Sequence, residues 1–128
     1  MAFFNLASQR MNWLSARQKV IAENVANANT PGYKAQDISD FSDMLGSNVQ
    51  ASGVKITQAR HISSAEVQAP GIRVEADETA WATSMDGNNV TIEQQTIKAG
   101  EVSESYRLAA NLYRKGYELL TLSVTGNR

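Results

Sequence analysis

The chain has 128 residues, a mass of 14.0 kDa and a formal net charge of −1, with one histidine and no cysteine. This length suits one domain, and the 42% of hydrophobic residues exclude a wholly disordered protein. The absence of cysteine excludes disulfides, thiolate metal sites and a cysteine nucleophile, and the near-zero net charge argues against a nucleic-acid binder.

The N-terminal segment predicts a long helix with two apolar faces. A heptad numbered from Phe4 places apolar residues at every inner position except Gln18, and no glycine or proline interrupts residues 2–28. A second apolar stripe lies on another face and comprises Phe3, Leu6, Trp13 and Val20. One helix with two apolar faces needs two partners, or one partner and burial inside an assembly. The candidate interface residues here are Leu6, Trp13, Leu14, Ile21 and Val25.

The segment 24–34 predicts how this helix ends. Pro31 disfavours helical backbone at Thr30, so the helix must stop just before it. Pro31 and Gly32 suit a type II turn because glycine accepts positive φ, and Tyr33 supplies an amphipathic anchor. The asparagine amides of the segment are expected to bond the last helix carbonyls. The predicted signature turn comprises Asn27, Thr30, Pro31, Gly32 and Tyr33.

The middle of the chain, residues 35–90, is polar and irregular, and its pattern fits either a small β module or a partly disordered segment. Asp40–Leu45 fits a short helix, and Val54–Thr57 and Ile72–Glu75 alternate as short strands. Glycine, serine and asparagine residues at 46–53 predict a mobile loop.

The C-terminal segment, residues 91–128, predicts a second long helix. Thr91 and Gln94 fit a capping box, and Gly116 on the apolar seam permits close backbone approach. Its seam positions are Val102, Tyr106, Ala109, Tyr113, Gly116 and Leu120, and its second apolar stripe is Leu108, Leu112, Leu119 and Leu122. These stripes add the candidate interface residues Tyr106, Leu108, Leu112, Tyr113, Leu119 and Leu120. The predicted fold class is therefore mainly α. Residues 1–34 and 91–128 pair as a coiled-coil domain, with residues 35–90 looped out between them.

Charge is distributed unevenly along the chain. Residues 1–34 carry a net charge of +3, residues 35–92 carry −5, and residues 93–128 carry +1. Two interpretations stay open: the acidic middle is a solvated surface, or copies attract each other end to middle. The N-terminus lacks the pattern of a signal peptide and no apolar run is long enough to span a membrane. The chain is therefore expected to stay in the cytoplasm or to leave by a route without a cleaved signal.

The other motifs give little reason to expect catalysis or metal binding. Residues 86–89, Asp-Gly-Asn-Asn, match the start of a calcium loop, but the bidentate glutamate that such a loop needs is absent. His61 has no obvious nucleophile or acidic partner nearby in sequence. Paired carboxylates of the glycosidase kind are offered by Asp40 with Asp43, and by Glu75, Asp77 and Glu78. No metal, cofactor or small-molecule substrate is expected.

Two motifs resemble a known family. Residues 23–38, ENVANANTPGYKAQDI, resemble the N-terminal signature of the bacterial flagellar axial proteins, which are the rod, hook and hook-associated subunits. Residues 85–93, MDGNNVTIE, resemble the segment that precedes the C-terminal helix in rod proteins. The small size, with nothing large between the helices, is similar to that of the proximal-rod subunits.

The resemblance implies a structural subunit of the proximal rod and not an enzyme. Such a subunit polymerises with its own copies and other rod proteins, transmits torque outward from the membrane ring, and is needed for flagellum assembly and motility. Other implied partners are the membrane-ring and rod-adaptor components and the flagellar export apparatus. The implied location is the periplasmic rod, reached without a cleaved signal peptide. The alternatives are another axial subunit such as the sister proximal-rod protein, a peptidoglycan hydrolase or a generic helical adaptor.

Overall fold

The computed structural model describes residues 2–51 and 71–126. Along the chain these form three helices and two short strands. The elements are α1 (Ala2–Ala26), β1 (Gln36–Ile38), α2 (Phe41–Ala51), β2 (Val74–Ala76) and α3 (Ile92–Thr125). The two predicted long helices and the mainly α fold class are confirmed. No helix within the described ranges is both long enough and apolar enough to span a membrane.

Helices α1 and α3 pack antiparallel. At one end of the pair the rings of Phe4 and Tyr113 meet edge to face with their centroids 5.1 Å apart. At the other end, Asn24 Nδ2 donates a hydrogen bond of 3.1 Å to Gln95 Oε1. Helix α3 has 34 residues and α1 has 25, so the lengths are roughly 51 and 37 Å. Residues 117–125 of α3 consequently extend beyond the described start of α1.

The apolar seam between the helices forms the core of the fold. Leu14 and Ile21 of α1, and Val102 and Ala109 of α3, are buried, as the heptad spacing predicts. A Cβ built at Gly116 would lie 2.5 Å from the ring of Phe3, so this glycine makes room for an aromatic side chain of α1 and not for the close backbone that the sequence predicts. The rest of the buried apolar cluster comprises Trp13, Val20, Ile38, Met44 and Ile72.

The small β component is one antiparallel pair of three-residue strands. Asp37 of β1 lies opposite Glu75 of β2, and the Ser39 N–H continues the ladder by donating to the Arg73 carbonyl at 2.8 Å. Strand β2 overlaps the predicted strand Ile72–Glu75, whereas β1 was not predicted. This sheet lies beside the middle and the second half of α1, where the Ser39 carbonyl accepts from Trp13 and Asp37 pairs with Arg17. We call this region of the molecule the sheet end.

Two expectations for the middle segment have different outcomes. Helix α2 runs from Phe41 to Ala51, so the predicted mobile loop is wrong over residues 46–51. The reason is an apolar face: Met44 is buried in the core, and Phe41 packs edge to face on Trp13 at 6.1 Å. This packing outweighs the low helix propensity of the glycine and serine that follow. The predicted strand Val54–Thr57 and the residue His61 lie outside the described residues.

Candidate assembly interface

The turn after α1 has the predicted geometry. Gly32 has φ 75°, and the Tyr33 N–H donates to the Thr30 carbonyl at 3.2 Å, which closes a four-residue turn with Pro31 at its second position. This arrangement is the type II turn that the sequence predicts. Burial and the negative charge of Glu23 raise the pKa of Tyr33, so its hydroxyl stays protonated and donates to Asn24 Oδ1 at 3.4 Å.

Replacement of Gly32 by valine is expected to lower the free energy of unfolding by about 1–2 kcal/mol, because a β-branched residue resists positive φ. Nothing lies within 4 Å of a Cβ built at this position, so the cost comes from the backbone and not from a clash. Gly32→Asn is the matched control, since asparagine tolerates this conformation. Equal urea midpoints for the two variants would contradict the prediction.

The sequence predicts that Asn24 caps the end of α1, and this prediction is wrong. Its side chain is fully buried and pairs with a single residue of the following segment: Nδ2 donates to the Gln36 carbonyl at 2.7 Å, and Oδ1 accepts from the Gln36 N–H at 2.9 Å. The same Nδ2 also donates to Gln95 of α3. The Asn24 amide therefore bonds the backbone of β1 in the way that a neighbouring strand would, and it joins α1, β1 and α3.

The carbonyls at the end of α1 are satisfied by two other asparagines. Asn27 Nδ2 donates to the Glu23 carbonyl at 2.8 Å, which confirms the capping expected there. The buried Asn88 directs its Nδ2 at the carbonyls of Asn27, Ala28 and Thr30, at 2.9, 3.1 and 2.8 Å. The two sequence motifs that carry the family resemblance therefore bind each other directly.

The segment 84–89 is shaped by its own hydrogen bonds. The Asp86 carboxylate accepts from the Ser84 hydroxyl and the Asn88 N–H, and these bonds lower the pKa of Asp86 below its ordinary value. Gly87 has φ 86°, and a Cβ built there would lie 3.6 Å from the Gly32 Cα. Within residues 2–51 and 71–126, no three His, Cys, Asp or Glu side chains are grouped closely enough to hold a metal ion. The Asp-Gly-Asn-Asn run thus forms a turn that holds Asn88 in place.

A chain of charged side chains fixes the sheet to both long helices. Arg17 of α1 donates to Asp37 of β1 at 3.2 Å, and Lys98 of α3 contacts Asp37 at 3.5 Å. Lys98 also forms an ion pair with Asp77, the residue after β2. Burial alone would raise the pKa of Asp77, but hydrogen bonds from Lys98 and Thr79 outweigh it and hold the pKa below its usual value.

Acid is expected to weaken the fold through Asp77. Because its folded-state pKa lies below its unfolded value of about 3.9, its contribution is present above that pH and is lost as pH falls through the folded value. Asp77→Asn should lower the free energy of unfolding at pH 7 by about 1–3 kcal/mol and flatten its decline below pH 4. Urea unfolding across pH tests this, with the exposed neighbour Glu78→Gln as control. An acid limb of unchanged slope in Asp77→Asn would contradict it.

The candidate interface residues fall into two sets. The structure buries Trp13, Leu14 and Ile21 inside the chain's own core, and Leu120 is half-buried. The other candidates are exposed, and they are Leu6, Val25, Tyr106, Leu108, Leu112, Tyr113 and Leu119. Gln18, the polar seam position, lines a groove between the helices together with Val102. The second stripe of α3 therefore faces outward, where it is available to another molecule.

An antiparallel helix pair that leaves an apolar stripe exposed is typical of subunits of larger assemblies. The family model for flagella basal body rod proteins matches residues 4–34. The flagellar basal body rod protein FlgB of Agrobacterium fabrum is 31% identical over 94% of this chain and 91% of its own length. The FlgB proteins of Yersinia enterocolitica and Salmonella typhimurium are 34% and 28% identical over 77% and 84% of this chain, and 76% and 81% of their own lengths. The chain belongs to the FlgB family of flagellar basal body rod proteins, and it is a structural subunit of that rod.

Proposed function

We propose that this subunit polymerises within the proximal part of the rod, with copies of itself and with other rod proteins, and transmits torque outward from the membrane ring. The observation that supports the proposal most directly is the outward apolar stripe of α3, formed by Leu108, Leu112, Leu119 and Leu122. The opposite side of the same helix is already occupied by α1. Four exposed leucines in one stripe of a helix are typical of a docking surface.

The energetics of this stripe suit a shaft under load. Each leucine that becomes fully buried contributes about 1.5–3 kcal/mol before entropy costs. Several such contacts per subunit, repeated along a helical stack, prevent neighbouring subunits from sliding past each other, although no single contact is very strong. The signature turn and Asn88 keep the sheet end at a fixed position relative to the helix pair, so force on the sheet end is transmitted to the helices.

The location and the export route form the finer part of the proposal. The subunit is placed in the periplasmic rod, and it arrives through the flagellar export apparatus without a cleaved signal peptide. At the rod base its further partners are membrane-ring and rod-adaptor components. The resemblance of the N-terminal signature and the small size of the middle segment support this placement.

The subunit is not an enzyme in this proposal. Two of the acidic groups considered for a glycosidase lie in ion pairs: Asp77 pairs with Lys98, and Glu75 lies 3.6 Å from Arg73. Zymography on peptidoglycan separates the alternatives, since lysis by the purified subunit that is lost in Glu75→Ala or Asp40→Ala would favour a hydrolase.

Purified hook–basal bodies provide the decisive test. Mass spectrometry should detect the subunit, and electron cryomicroscopy should place it near the membrane ring with α1 and α3 in the tube wall. Rods that assemble intact in a deletion strain would refute the proposal. A position only at the distal end of the rod would refute the proximal placement and favour another axial role.

A further inference from the structure

Helix α3 has two apolar stripes, and the one with the larger side chains faces outward. The seam against α1 includes Val102, Ala109 and Gly116, whereas the outward stripe consists of leucines such as Leu108 and Leu112. Leu108 is 61% exposed and the next residue, Ala109, is 8% exposed. Neighbouring residues lie about 100° apart around a helix, so a rotation of α3 by roughly that angle would exchange the two stripes. Because leucine buries more apolar surface than alanine or glycine, the hydrophobic effect alone favours that rotation.

A buried glutamine opposes this rotation on the seam side of α3. Gln95 precedes Val102 by seven residues, so it continues the seam into the first turn of the helix, and it is fully buried. The Asn24 amide directs its Nδ2 at the Gln36 carbonyl and its Oδ1 at the Gln36 N–H, which fixes its orientation. Gln95 can therefore bond Asn24 only through its own oxygen, at 3.1 Å. A rotation of α3 would carry this oxygen away from the Asn24 donor.

The seam position of Gln95 is unfavourable for stability. Within residues 2–51 and 71–126, the buried Gln95 Nε2 has no hydrogen-bond partner, and a buried donor without a partner lowers the stability of a fold. An apolar side chain at this position would avoid that cost. A buried polar residue in a helix seam can select one arrangement of helices over others although it lowers stability. Gln95 suits such a role in specificity better than a role in stability.

The preceding glutamine acts on the leucine side of α3. Gln94 lies eighteen residues before Leu112, which is about five whole turns, so the two residues lie on the same side of the helix. The buried Gln94 side chain donates through Nε2 to the Thr79 carbonyl at 2.8 Å and accepts through Oε1 from the Trp81 N–H at 3.3 Å. Residues 79–81 thus cover the start of α3 on this side, and a rotation of the helix would break both bonds.

We propose that Gln94 and Gln95 set the rotation of α3 about its own axis and thereby keep the leucine stripe facing outward. Because hydrogen bonds of amides are directional, only one rotation satisfies two consecutive amides that bond to different sides of the helix. Lys98 adds ion pairs to Asp37 and Asp77, but its flexible stem allows these pairs to follow a rotation. Both glutamines are positioning residues, and the importance of the orientation of α3 for assembly rests on the proposed rod function.

Thiol labelling of the purified full-length subunit tests the rotation, and the cysteine-free sequence gives a clean background. Leu108→Cys and Ala109→Cys are introduced in separate chains, and their rates of reaction with a maleimide are compared. With both glutamines present, Leu108→Cys should react at least roughly tenfold faster, because position 108 is exposed and position 109 is buried. In chains that also carry Gln94→Met and Gln95→Met, the ratio of the two rates should fall at least roughly tenfold, because the rotation buries position 108 and exposes position 109.

The control variants separate the amides from a general change in the seam. Methionine keeps the unbranched shape of glutamine but has no amide. Gln18→Met is the matched control, since Gln18 is the polar seam residue of α1 and is exposed, so the ratio of rates should stay at its original value. The single variant Gln95→Met retains the hydrogen bonds of Gln94 and should lower the ratio by a smaller factor. It replaces the double variant in the experiment if the double variant does not melt cooperatively.

Two outcomes would overturn the inference. The first is an unchanged ratio of labelling rates in the methionine variants. The second is faster labelling at both positions in a variant that still melts cooperatively, because a loosened helix exposes every side of α3 whereas a rotated helix exposes one side and buries another. The proposed function is tested separately in rods: a lowered ratio in the isolated variant, together with absence of the wild-type subunit from purified rods, would uphold the inference and refute the proposed function.

Discussion

Replacement of Asn24 by alanine is expected to lower the free energy of unfolding by about 3–4 kcal/mol. The fully buried amide bonds both backbone groups of Gln36 and also Gln95, so its removal leaves the buried Gln95 oxygen and two part-buried backbone groups without this partner. Each such group costs about 1–3 kcal/mol. Since proteins of this size are stable by only about 5–15 kcal/mol, the loss is a large share of the total.

Two further variants sharpen this experiment. Asn24→Asp keeps the shape but replaces the donor with a second acceptor opposite the Gln36 carbonyl, so it should be at least as damaging as alanine. Asn29→Ala removes an exposed asparagine five residues away in the same motif and should change the free energy by less than about 0.5 kcal/mol. Urea unfolding followed by circular dichroism measures all three. A midpoint for Asn24→Ala equal to that of Asn29→Ala would contradict the assigned role.

Local rules of chain conformation explain what the sequence predicts correctly here. The seam positions Leu14, Ile21, Val102 and Ala109 repeat at helical spacing, and burial follows from that repeat alone. The end of α1 is equally local, because Pro31 restricts its neighbour and Gly32 accepts the positive φ of the turn. Such features need no knowledge of any distant residue.

The features that sequence reasoning missed depend on contacts between distant segments. Strand β1 has three residues and becomes a strand only through pairing with Val74–Ala76. Asn88 reaches carbonyls about sixty positions earlier in the chain, and Lys98 of α3 joins Asp37 of β1 to Asp77, the residue after β2. A run of asparagines predicts capping in general, but it does not show which carbonyl each amide will meet. The expectation for Asn24 was wrong for that reason.

The two apolar stripes of each helix illustrate the same limit. Their spacing predicts that one stripe faces the chain's own partner helix and the other faces outward. Because both stripes have similar composition, the sequence does not show which one faces outward. The structure separates them in α3, where Val102 and Ala109 are buried and Leu108 and Leu112 are exposed. In α1 the division differs, since Trp13 and Val20 of the second stripe are buried against the sheet and α2, which the sequence did not predict in full.

Replacement of Leu112 by glutamate is expected to abolish incorporation into the rod while leaving the subunit folded. Leu112 is 49% exposed on the outward stripe, so the change removes little from the core of the chain. In the proposed interface the carboxylate would be buried among apolar side chains without a partner, which costs several kcal/mol. A loss of about 2.8 kcal/mol already lowers affinity a hundredfold. Swimming motility and an immunoblot of purified hook–basal bodies measure the effect.

Two controls distinguish loss of assembly from loss of folding. Thr121→Glu introduces the same charge on the opposite side of α3, where the helical spacing of 3.6 residues per turn places it away from the leucine stripe, and it should leave motility normal. Leu14→Ala opens a cavity at a side chain that is only 1% exposed and should destabilise the isolated subunit by about 2–5 kcal/mol. The melting temperature of Leu112→Glu should match that of Thr121→Glu. Its motility should be lost, as we also expect for Leu14→Ala. If Leu112→Glu swims normally, the outward stripe of α3 does not hold the rod together, and the binding surface must lie on α1 or at the sheet end.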